Sequence, residues 1–261
     1  MKPAAFTYHR ASSVRGAVGL LTELAEEDPK LLAGGQSLVA MMNYRMARPG
    51  HLVDLTHVPG LAGIRRDGAA LRLGALTTHH AVERADLGPD FAVLSRAMRW
   101  VGHLPIRTRG TVGGSVAHGD ATAEWCLLAV LLDAVVVTEG PGGRREVAAR
   151  GFFLGPFTTA LEPDEVIVEV VFGRPAPRAA LTEYADRRGD FAVVAAAADL
   201  DTGDVVLGGV GAVPVLVPGA GTPDEIADAL ELRDEPGVPA EYRRGLVRTL
   251  VARAREEAGR G

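Results

Sequence analysis

Cysteine and lysine are scarce in this chain of 261 residues. Cys126 is the single cysteine, so the chain forms no internal disulfide and cannot supply the four thiolates that an iron–sulfur cluster normally takes. Neither Lys2 nor Lys30 follows a Gly-x-x-x-x-Gly frame, which excludes a phosphate-binding loop of the Walker type. Because Cys126 lies in the apolar run Trp125-Cys126-Leu127-Leu128, we expect a buried structural thiol.

A surplus of basic residues and a long apolar run are missing as well. The formal net charge of -5 argues against a nucleic-acid surface. The longest apolar stretch, Cys126–Val137, is interrupted by Asp133 and is too short to span a membrane. Residues 1–20 contain no continuous apolar core of a signal peptide, and we expect a cytoplasmic protein. With 47% hydrophobic and 23% charged residues, the composition is that of a globular chain.

Helix and strand signals are mixed along the chain and predict an α+β fold with three domains. A hairpin is indicated by Asp67-Gly68, and a capping box at Thr222-Pro223-Asp224-Glu225 starts a late helix. The two prolines of Arg174-Pro175-Ala176-Pro177 favour a linker there. We therefore place two subdomains at residues 1–55 and 56–173 and a smaller sheet-plus-helix domain at residues 178–261.

Two glycine-rich segments carry the first functional signal. These are Ala33-Gly34-Gly35-Gln36-Ser37 and Thr111-Val112-Gly113-Gly114-Ser115. Glycine removes the Cβ that keeps a phosphate at a distance, and inward main-chain N–H groups suit an anion. Each segment alone is also consistent with an ordinary tight turn, but two such segments suggest a diphosphate held from both sides. A Rossmann fingerprint is absent, since Gly209-Val210-Gly211-Ala212-Val213-Pro214 lacks the last glycine.

Polar residues after the second glycine segment allow two interpretations. Glu124 is either an acceptor for a ribose or ribityl hydroxyl or a first-turn glutamate that favours the helix dipole. We expect no metal at His118, Asp120 and Glu124, because a structural metal normally takes four closely arranged ligands. His79, His80 and His103 have no carboxylate or nucleophile spacing and are interpreted as surface or core residues.

These segments resemble the FAD-binding medium subunits of molybdenum hydroxylases, the group of aerobic carbon monoxide dehydrogenase and xanthine dehydrogenase. The first matching stretch is Ala33–Leu38, followed by Arg48-Pro49 and Val53-Asp54. The second begins at Ile106-Arg107 and continues through Thr111–Ser115 to Glu124. Further matches lie in residues 188–194, 208–211 and 241–244, so the resemblance covers nearly the whole chain.

The resemblance implies a vanillyl-alcohol-oxidase-type fold, in which FAD lies between two N-terminal subdomains and a smaller α+β C-terminal domain packs beside them. It implies that residues 33–38 and 111–115 hold the diphosphate from two sides and that the segment Arg188–Phe191 approaches the flavin. The implied cofactor-binding residues are Ala33, Gly34, Gly35, Gln36, Ser37, Leu38, Ile106, Thr111, Gly113, Gly114, Ser115, His118, Asp120, Glu124, Asp190 and Phe191.

The implied activity is that of a flavoprotein oxidoreductase subunit with no catalytic acid, base or nucleophile of its own. Electrons would pass from a small 2Fe–2S iron–sulfur subunit through FAD to an external acceptor, with substrate oxidised on a large molybdopterin-binding subunit. A dimer of heterotrimers is the implied assembly. Two alternatives remain from the sequence, namely a free-standing FAD oxidoreductase and a non-catalytic scaffold with empty glycine turns.

Two features depart from the family pattern. Many relatives have a basic residue in the segment corresponding to Tyr184-Ala185-Asp186, or a lysine just after Phe191-Ala192, and this chain has neither. The stretch between Gly211 and Glu235 is also shorter than usual. The first departure leaves open which residue covers the isoalloxazine, and the second alters a surface that partner subunits or an acceptor would meet.

Overall fold

Three main β-sheets follow one another along the chain in the computed structural model, which describes residues 2–219 and 221–260. The first region contains β1 (Thr7–Arg10), α1 (Val14–Glu23), β2 (Pro29–Leu32), α2 (Leu38–Asn43) and β3 (His51–Asp54). Its strands are parallel in the order β1-β3-β2. The Ser13 hydroxyl accepts a hydrogen bond from the Gly16 N–H at 3.0 Å and caps α1.

The second region holds an antiparallel sheet and a group of short helices. In chain order its elements are β4 (Ile64–Asp67), β5 (Ala70–Gly74), α3 (His79–Arg84), α4 (Ala92–Ala97), α5 (Leu104–Arg107), α6 (Val112–His118), α7 (Glu124–Leu131), β6 (Val135–Gly140), β7 (Gly143–Ala148), β8 (Phe153–Gly155), β9 (Thr158–Thr159) and β10 (Val166–Phe172). The sheet order is β4-β5-β10-β6-β7, and β8 pairs only with β9. The hairpin predicted at Asp67-Gly68 joins β4 to β5.

The third region is an antiparallel sheet with two helices. Its elements are β11 (Ala179–Tyr184), β12 (Val194–Asp199), β13 (Val205–Gly208), β14 (Val215–Val217), α8 (Pro223–Asp228) and α9 (Ala240–Arg260). The strands pair in sequence order, β11-β12-β13-β14. The predicted capping box at α8 is present, since the side chains of Thr222 and Glu225 each accept a hydrogen bond from the other's main-chain N–H.

Helix α7 connects the second and third regions through its packing. Every residue from Trp125 to Leu131 is buried, which is typical of a helix surrounded by protein on all sides. Ala195 and Ala197 of β12 share a core with α7, whereas Ala196 and Ala198 face the core under α9. Strand β12 is therefore buried on both faces, and Cys126 is buried as predicted.

The structure corrects several details of the sequence prediction. The predicted glycine turn at Thr111–Ser115 is instead the N-cap and first turn of α6, because Thr111 accepts the Gly114 N–H and helical geometry begins at Val112. The sequence prediction also misses β1, β8, β9 and β14, which have two to four residues each. The α+β class is confirmed, while the domain boundaries stay a prediction. None of the described helices combines the length and the apolarity needed to cross a bilayer.

Candidate cofactor-binding cavity

A cavity of about 430 Å³ opens where the first glycine segment meets α6, and residues of the third region reach its wall. All of the site residues predicted from the sequence line this cavity. They are Ala33, Gly34, Gly35, Gln36, Ser37, Leu38, Ile106, Thr111, Gly113, Gly114, Ser115, His118, Asp120, Glu124, Asp190 and Phe191. The fold therefore brings together three stretches that are far apart in sequence.

The first glycine segment presents a row of free main-chain donors. Helix α2 begins just after it, and the N–H groups of Val39 and Met41 already bond to the carbonyls of Gly35 and Ser37. The preceding N–H groups, those of residues 34–38, have no acceptor among the residues that the structure describes. A turn followed by a helix start of this kind suits an anion such as a diphosphate.

Glycine at position 34 is required by the close approach of two chain segments. A Cβ built on Gly34 would overlap the Arg109 carbonyl oxygen and would lie 2.9 Å from the Gly110 Cα. On the other side of the contact, a Cβ built on Gly114 would lie 3.6 Å from the Ala33 Cβ. The two glycine segments are therefore in direct contact, which brings both to one end of the cavity.

The second glycine segment differs from the first in its donors. The N–H groups of Val112 and Gly113 bond to the carbonyls of Thr77 and Ala75, at 3.0 and 2.8 Å, and the Gly114 N–H bonds to the Thr111 hydroxyl. These donors serve the protein itself, so this segment contributes the shape of the wall and not a second row of free N–H groups. The Ser115 hydroxyl makes no hydrogen bond within the described part of the chain and lines the cavity.

Acidic residues are concentrated beyond the end of α6. The Asp120 carboxylate accepts hydrogen bonds from the Thr122 N–H and hydroxyl, both at 2.8 Å. Burial raises the pKa of Glu124 to about 7, and the negative charge of Asp120 acts in the same direction. Burial also lowers the pKa of His118, although Asp120 opposes that shift.

Glu183 is an electrostatic neighbour of Glu124 that the sequence analysis misses. It lies on β11, and its buried Oε2 has no hydrogen-bond partner among residues 2–219 and 221–260. Burial raises the pKa of Glu183 to about 8, and the charge of Glu124 adds to the increase. Glu124, which lines the cavity, therefore has a second buried carboxyl group near it, and the two resist simultaneous ionisation. No local motif marks Glu183, because its environment is created by distant parts of the chain.

His79, for which the sequence predicts a surface or core position, is buried and also lines the cavity. It is 5% exposed, and its Nδ1 accepts a hydrogen bond from the Trp125 indole N–H at 2.9 Å. Burial lowers the pKa of His79 to about 4, and the Arg107 cation contributes. By contrast, His103 is exposed and His80 pairs with Glu83 at 3.2 Å.

The mouth of the cavity is formed by exposed residues from two regions. Phe191 is 66% exposed and Ile106 is 37% exposed, yet both line the cavity. Gly189 lies against His103, and a Cβ at Gly189 would overlap the imidazole ring. The segment of the third region that carries Asp190 and Phe191 therefore rests directly on the second region.

Comparison with known proteins places this cavity in a family context. The family described as the FAD binding domain in molybdopterin dehydrogenase matches residues 4–175. The nicotine 6-hydroxylase medium subunit of Paenarthrobacter nicotinovorans is 35% identical over an alignment of 285 positions, gaps included, which covers 99% of each chain. The 6-hydroxypseudooxynicotine dehydrogenase complex subunit alpha of the same organism is 40% identical over 200 residues, or 76% of this chain and 67% of the relative.

A solved structure of carbon monoxide dehydrogenase from Hydrogenophaga pseudoflava extends the likeness to the whole fold. Its matching chain superposes with a TM-score of 0.90 at 32% identity, covering 100% of this chain and 99% of the other. The family match and the fold likeness confirm the resemblance inferred from the glycine segments. We conclude that this chain belongs to the FAD-binding domain family of the molybdopterin dehydrogenases, whose members are oxidoreductase components with FAD as cofactor.

Proposed function

We propose that this chain is the FAD-binding electron-transfer subunit of a molybdenum hydroxylase complex, in which electrons pass from partner iron–sulfur clusters through FAD to an external acceptor. The observation that carries this proposal is the convergence of all predicted site residues on one cavity. The cavity fits the diphosphate of FAD, because residues 34–38 offer free N–H groups and Gly34 permits close approach.

The residues divide into roles by their chemistry. The main-chain N–H groups of residues 34–38 would hold the diphosphate, and α6 would form the opposite wall through Gly113, Gly114 and Ser115. Glu124 would accept a hydrogen bond from a ribityl or ribose hydroxyl. Asp190 and Phe191, at the mouth, would approach the flavin. When bound, FAD supplies the redox chemistry, and the protein supplies binding, orientation and electrostatics.

The single cysteine supports a division of labour between subunits. Cys126 is buried inside α7, so the chain has no set of thiolates for an iron–sulfur cluster. We propose a small 2Fe–2S iron–sulfur subunit and a large molybdopterin-binding subunit as partners, in a dimer of heterotrimers. The names of relatives, a "medium subunit" and a "complex subunit alpha", support a multi-subunit assembly. The cytoplasmic location expected from the sequence stays a prediction.

The substrate of the complex would be chosen by the large partner. Relatives of this chain are named for nicotine, 6-hydroxypseudooxynicotine and carbon monoxide, which share little chemistry. One FAD-binding architecture therefore accompanies very different substrates. The terminal acceptor would in turn meet the exposed face around the cavity mouth.

Purification of the tagged full chain from its own host tests the proposal. We expect FAD, iron and molybdenum to elute with the chain in a constant ratio. The chain separated from its partners should keep a flavin spectrum and show no turnover of carbon monoxide, aldehydes or N-heterocycles. Turnover by the separated chain would establish a free-standing oxidoreductase, and a colourless chain that takes up no FAD would establish a scaffold.

The variant Gly114→Val tests the placement of the diphosphate. A Cβ at Gly114 would lie 2.7 Å from the Thr111 hydroxyl and close to Ala33, so a branched side chain should fill the junction of the two glycine segments. We expect loss of the flavin spectrum with an unchanged far-ultraviolet circular dichroism signal. An unaltered flavin spectrum in this variant would contradict the placement.

A further inference from the structure

The buried contact between Trp125 and His79 fixes which nitrogen of His79 carries its proton. The indole nitrogen of tryptophan can only donate, and it donates to Nδ1 of His79 at 2.9 Å. Nδ1 must therefore be the unprotonated nitrogen. In a neutral imidazole the proton then resides on Nε2, which becomes a hydrogen-bond donor.

His79 stays neutral in the physiological pH range. Its ring is buried between the start of α3 and α7, and the nearby Arg107 cation disfavours a second positive charge. Both effects lower its pKa, to about 4. The neighbouring residues of α3 form ion pairs instead. His80 pairs with Glu83, and the Glu83 carboxylate also binds Arg107 at 3.0 Å. His79 is thus a fixed neutral donor and does not act as a switchable cation.

The Nε2 edge of the His79 ring packs against Gly110, next to the contact between the two glycine segments. A Cβ built on Gly110 would lie 2.7 Å from Nε2, and the Gly110 Cα would lie 2.9 Å from a Cβ built on Gly34. Gly110 is therefore in contact with both His79 and Gly34, and all three residues line the cavity.

No group within the described residues accepts a hydrogen bond from the Nε2–H of His79. In the part of the chain that the structure describes, the His79 side chain makes one hydrogen bond, which Nδ1 accepts from the Trp125 indole N–H. Nε2 of His79 is not one of the fully buried side-chain atoms that lack a partner, which belong to Glu183, Arg243, Arg248 and Arg255, so it keeps some accessible surface. Because His79 lines the cavity, an oxygen bound there can accept a hydrogen bond from Nε2–H.

We propose that His79 is a further FAD-binding residue, whose neutral Nε2–H donates to the same diphosphate as the main-chain N–H groups of residues 34–38. Trp125 is a positioning residue, because its indole N–H selects the tautomer. This inference rests on the proposed function. It also explains why a histidine is buried at the first position of α3, where its main-chain N–H is already used by the Gly110 carbonyl.

A pair of His79 variants tests the inference by titration of the FAD-free full chain with FAD. His79→Gln keeps an N–H donor near the Nε2 position, whereas His79→Phe keeps a ring and removes the donor. We expect His79→Phe to weaken FAD binding by about tenfold, the usual scale for a lost hydrogen bond to a charged group, and His79→Gln to recover most of the loss. His57→Phe, an exposed histidine off the cavity wall, is the control.

The pH profile and the imidazole resonances separate this role from a purely structural one. As the pH falls from 8 to 5, protonation of His79 should not raise the FAD affinity of the wild-type chain, because the ring stays neutral in this range. In selectively ¹⁵N-histidine-labelled protein, His79 should show a protonated Nε2 and an unprotonated Nδ1, and FAD should shift the Nε2 resonance. These measurements use the wild-type chain and do not depend on the folding of any variant.

The outcomes distinguish the two proposals. If the wild-type chain does not bind FAD, the proposed function fails. If it binds FAD while His79→Phe binds equally well, or while the Nε2 resonance does not move, only the assignment of His79 is overturned. A resonance that titrates with an ordinary histidine pKa would overturn it as well.

Discussion

Gly34 and Arg109 approach so closely that a Cβ on Gly34 would overlap the Arg109 carbonyl oxygen. This main-chain contact joins the loop between β2 and α2 to the segment that leads into α6. The row of free N–H groups at residues 34–38 is therefore positioned by backbone packing. A side chain can move aside to accept an extra methyl group, but a carbonyl in a packed segment cannot do so without shifting its neighbours.

Gly34→Ala should weaken FAD binding by at least about tenfold. The added methyl group must push the two glycine segments apart, and such overpacking typically costs about 1–3 kcal/mol. Titration with FAD followed by flavin fluorescence measures the effect. Gly19→Ala is the matched control, because nothing lies within 4 Å of its Cβ position in α1 and alanine is favoured in a helix. Equal affinities in both variants would show that the contact does not shape the cavity.

The segment at residues 174–177, predicted as a linker, turns out to contain an anchor. Arg174 donates to the fully buried carboxylate of Asp199 at 2.5 Å and to the Leu131 carbonyl at 2.9 Å. It thus ties the end of α7 to the end of β12.

Arg174→Met should reduce the free energy of unfolding by about 3 kcal/mol, because removing one partner of a buried pair leaves the other charge uncompensated. Arg178→Met is the control, since Arg178 pairs with Asp201 where both side chains are exposed. Such an exposed pair contributes at most about 1 kcal/mol. Urea unfolding of both variants measures the difference. Comparable losses in both would mean that burial of Asp199 has no energetic consequence.

Signals contained within a few residues could be predicted from the sequence. The Asp67-Gly68 hairpin and the Thr222–Glu225 capping box depend on local turn chemistry, and both occur as predicted. The glycine segments were also identified correctly as neighbours in one cavity, because a resemblance spanning the chain links them. A short strand such as β1 was missed, since its partner β3 lies more than 40 residues away and its own four residues are mostly exposed.

Properties that depend on tertiary neighbours could not be predicted. The donors of Val112 and Gly113 are used by the carbonyls of Thr77 and Ala75, which no sequence pattern indicates. His79 and Glu183 acquire their chemistry from Trp125 and from burial beside Glu124. In each case the residue type is ordinary, and the function follows from which groups the fold places against it.

The stability of the FAD-free chain should fall as the pH rises from about 6.5 to about 8. Burial raises the pKa values of Glu124 and Glu183 to about 7 and about 8, so both groups bind more protons in the folded chain than in the unfolded chain in this window. Below this window His79 acts in the opposite direction, because its pKa is lowered from 6.5 to about 4 and the unfolded chain binds the extra proton. Each of the two carboxyl groups lowers the free energy of unfolding by up to about 1.4 kcal/mol per pH unit. Glu124→Gln should flatten this decline, because it removes one titrating group and the charge that raises the pKa of the other.

Urea unfolding at four pH values between about 6.5 and about 8 measures this slope. Glu26→Gln, at an exposed position in the turn after α1, should leave the slope of the wild-type chain unchanged. If Glu124→Gln and the wild type lose stability in parallel as the pH rises, the carboxyl groups beside the cavity do not carry the effect.

Glu165 should make the opposite contribution, one that is lost in acid. Its carboxylate accepts hydrogen bonds from the Arg145 guanidinium at 2.6 and 2.7 Å and from the Thr138 hydroxyl at 3.1 Å. Arg145 lowers the pKa of Glu165 below its ordinary value, so the stabilisation is present above that value and disappears as the pH falls through the lowered pKa.

Glu165→Gln should therefore destabilise the chain near neutral pH, by about 1.5–3 kcal/mol for the lost charged hydrogen bonds, and the deficit should shrink in acid. The neighbouring cross-strand pair of Glu139 and Arg144 provides the matched control in the same hairpin, because Arg144 is largely exposed. Glu139→Gln should cost at most about 1 kcal/mol at neutral pH. The two pairs differ in the burial of Glu165. If both variants lose the same free energy of unfolding, the hydrogen bonds of Glu165 to Arg145 and Thr138 only offset the cost of removing its carboxylate from water.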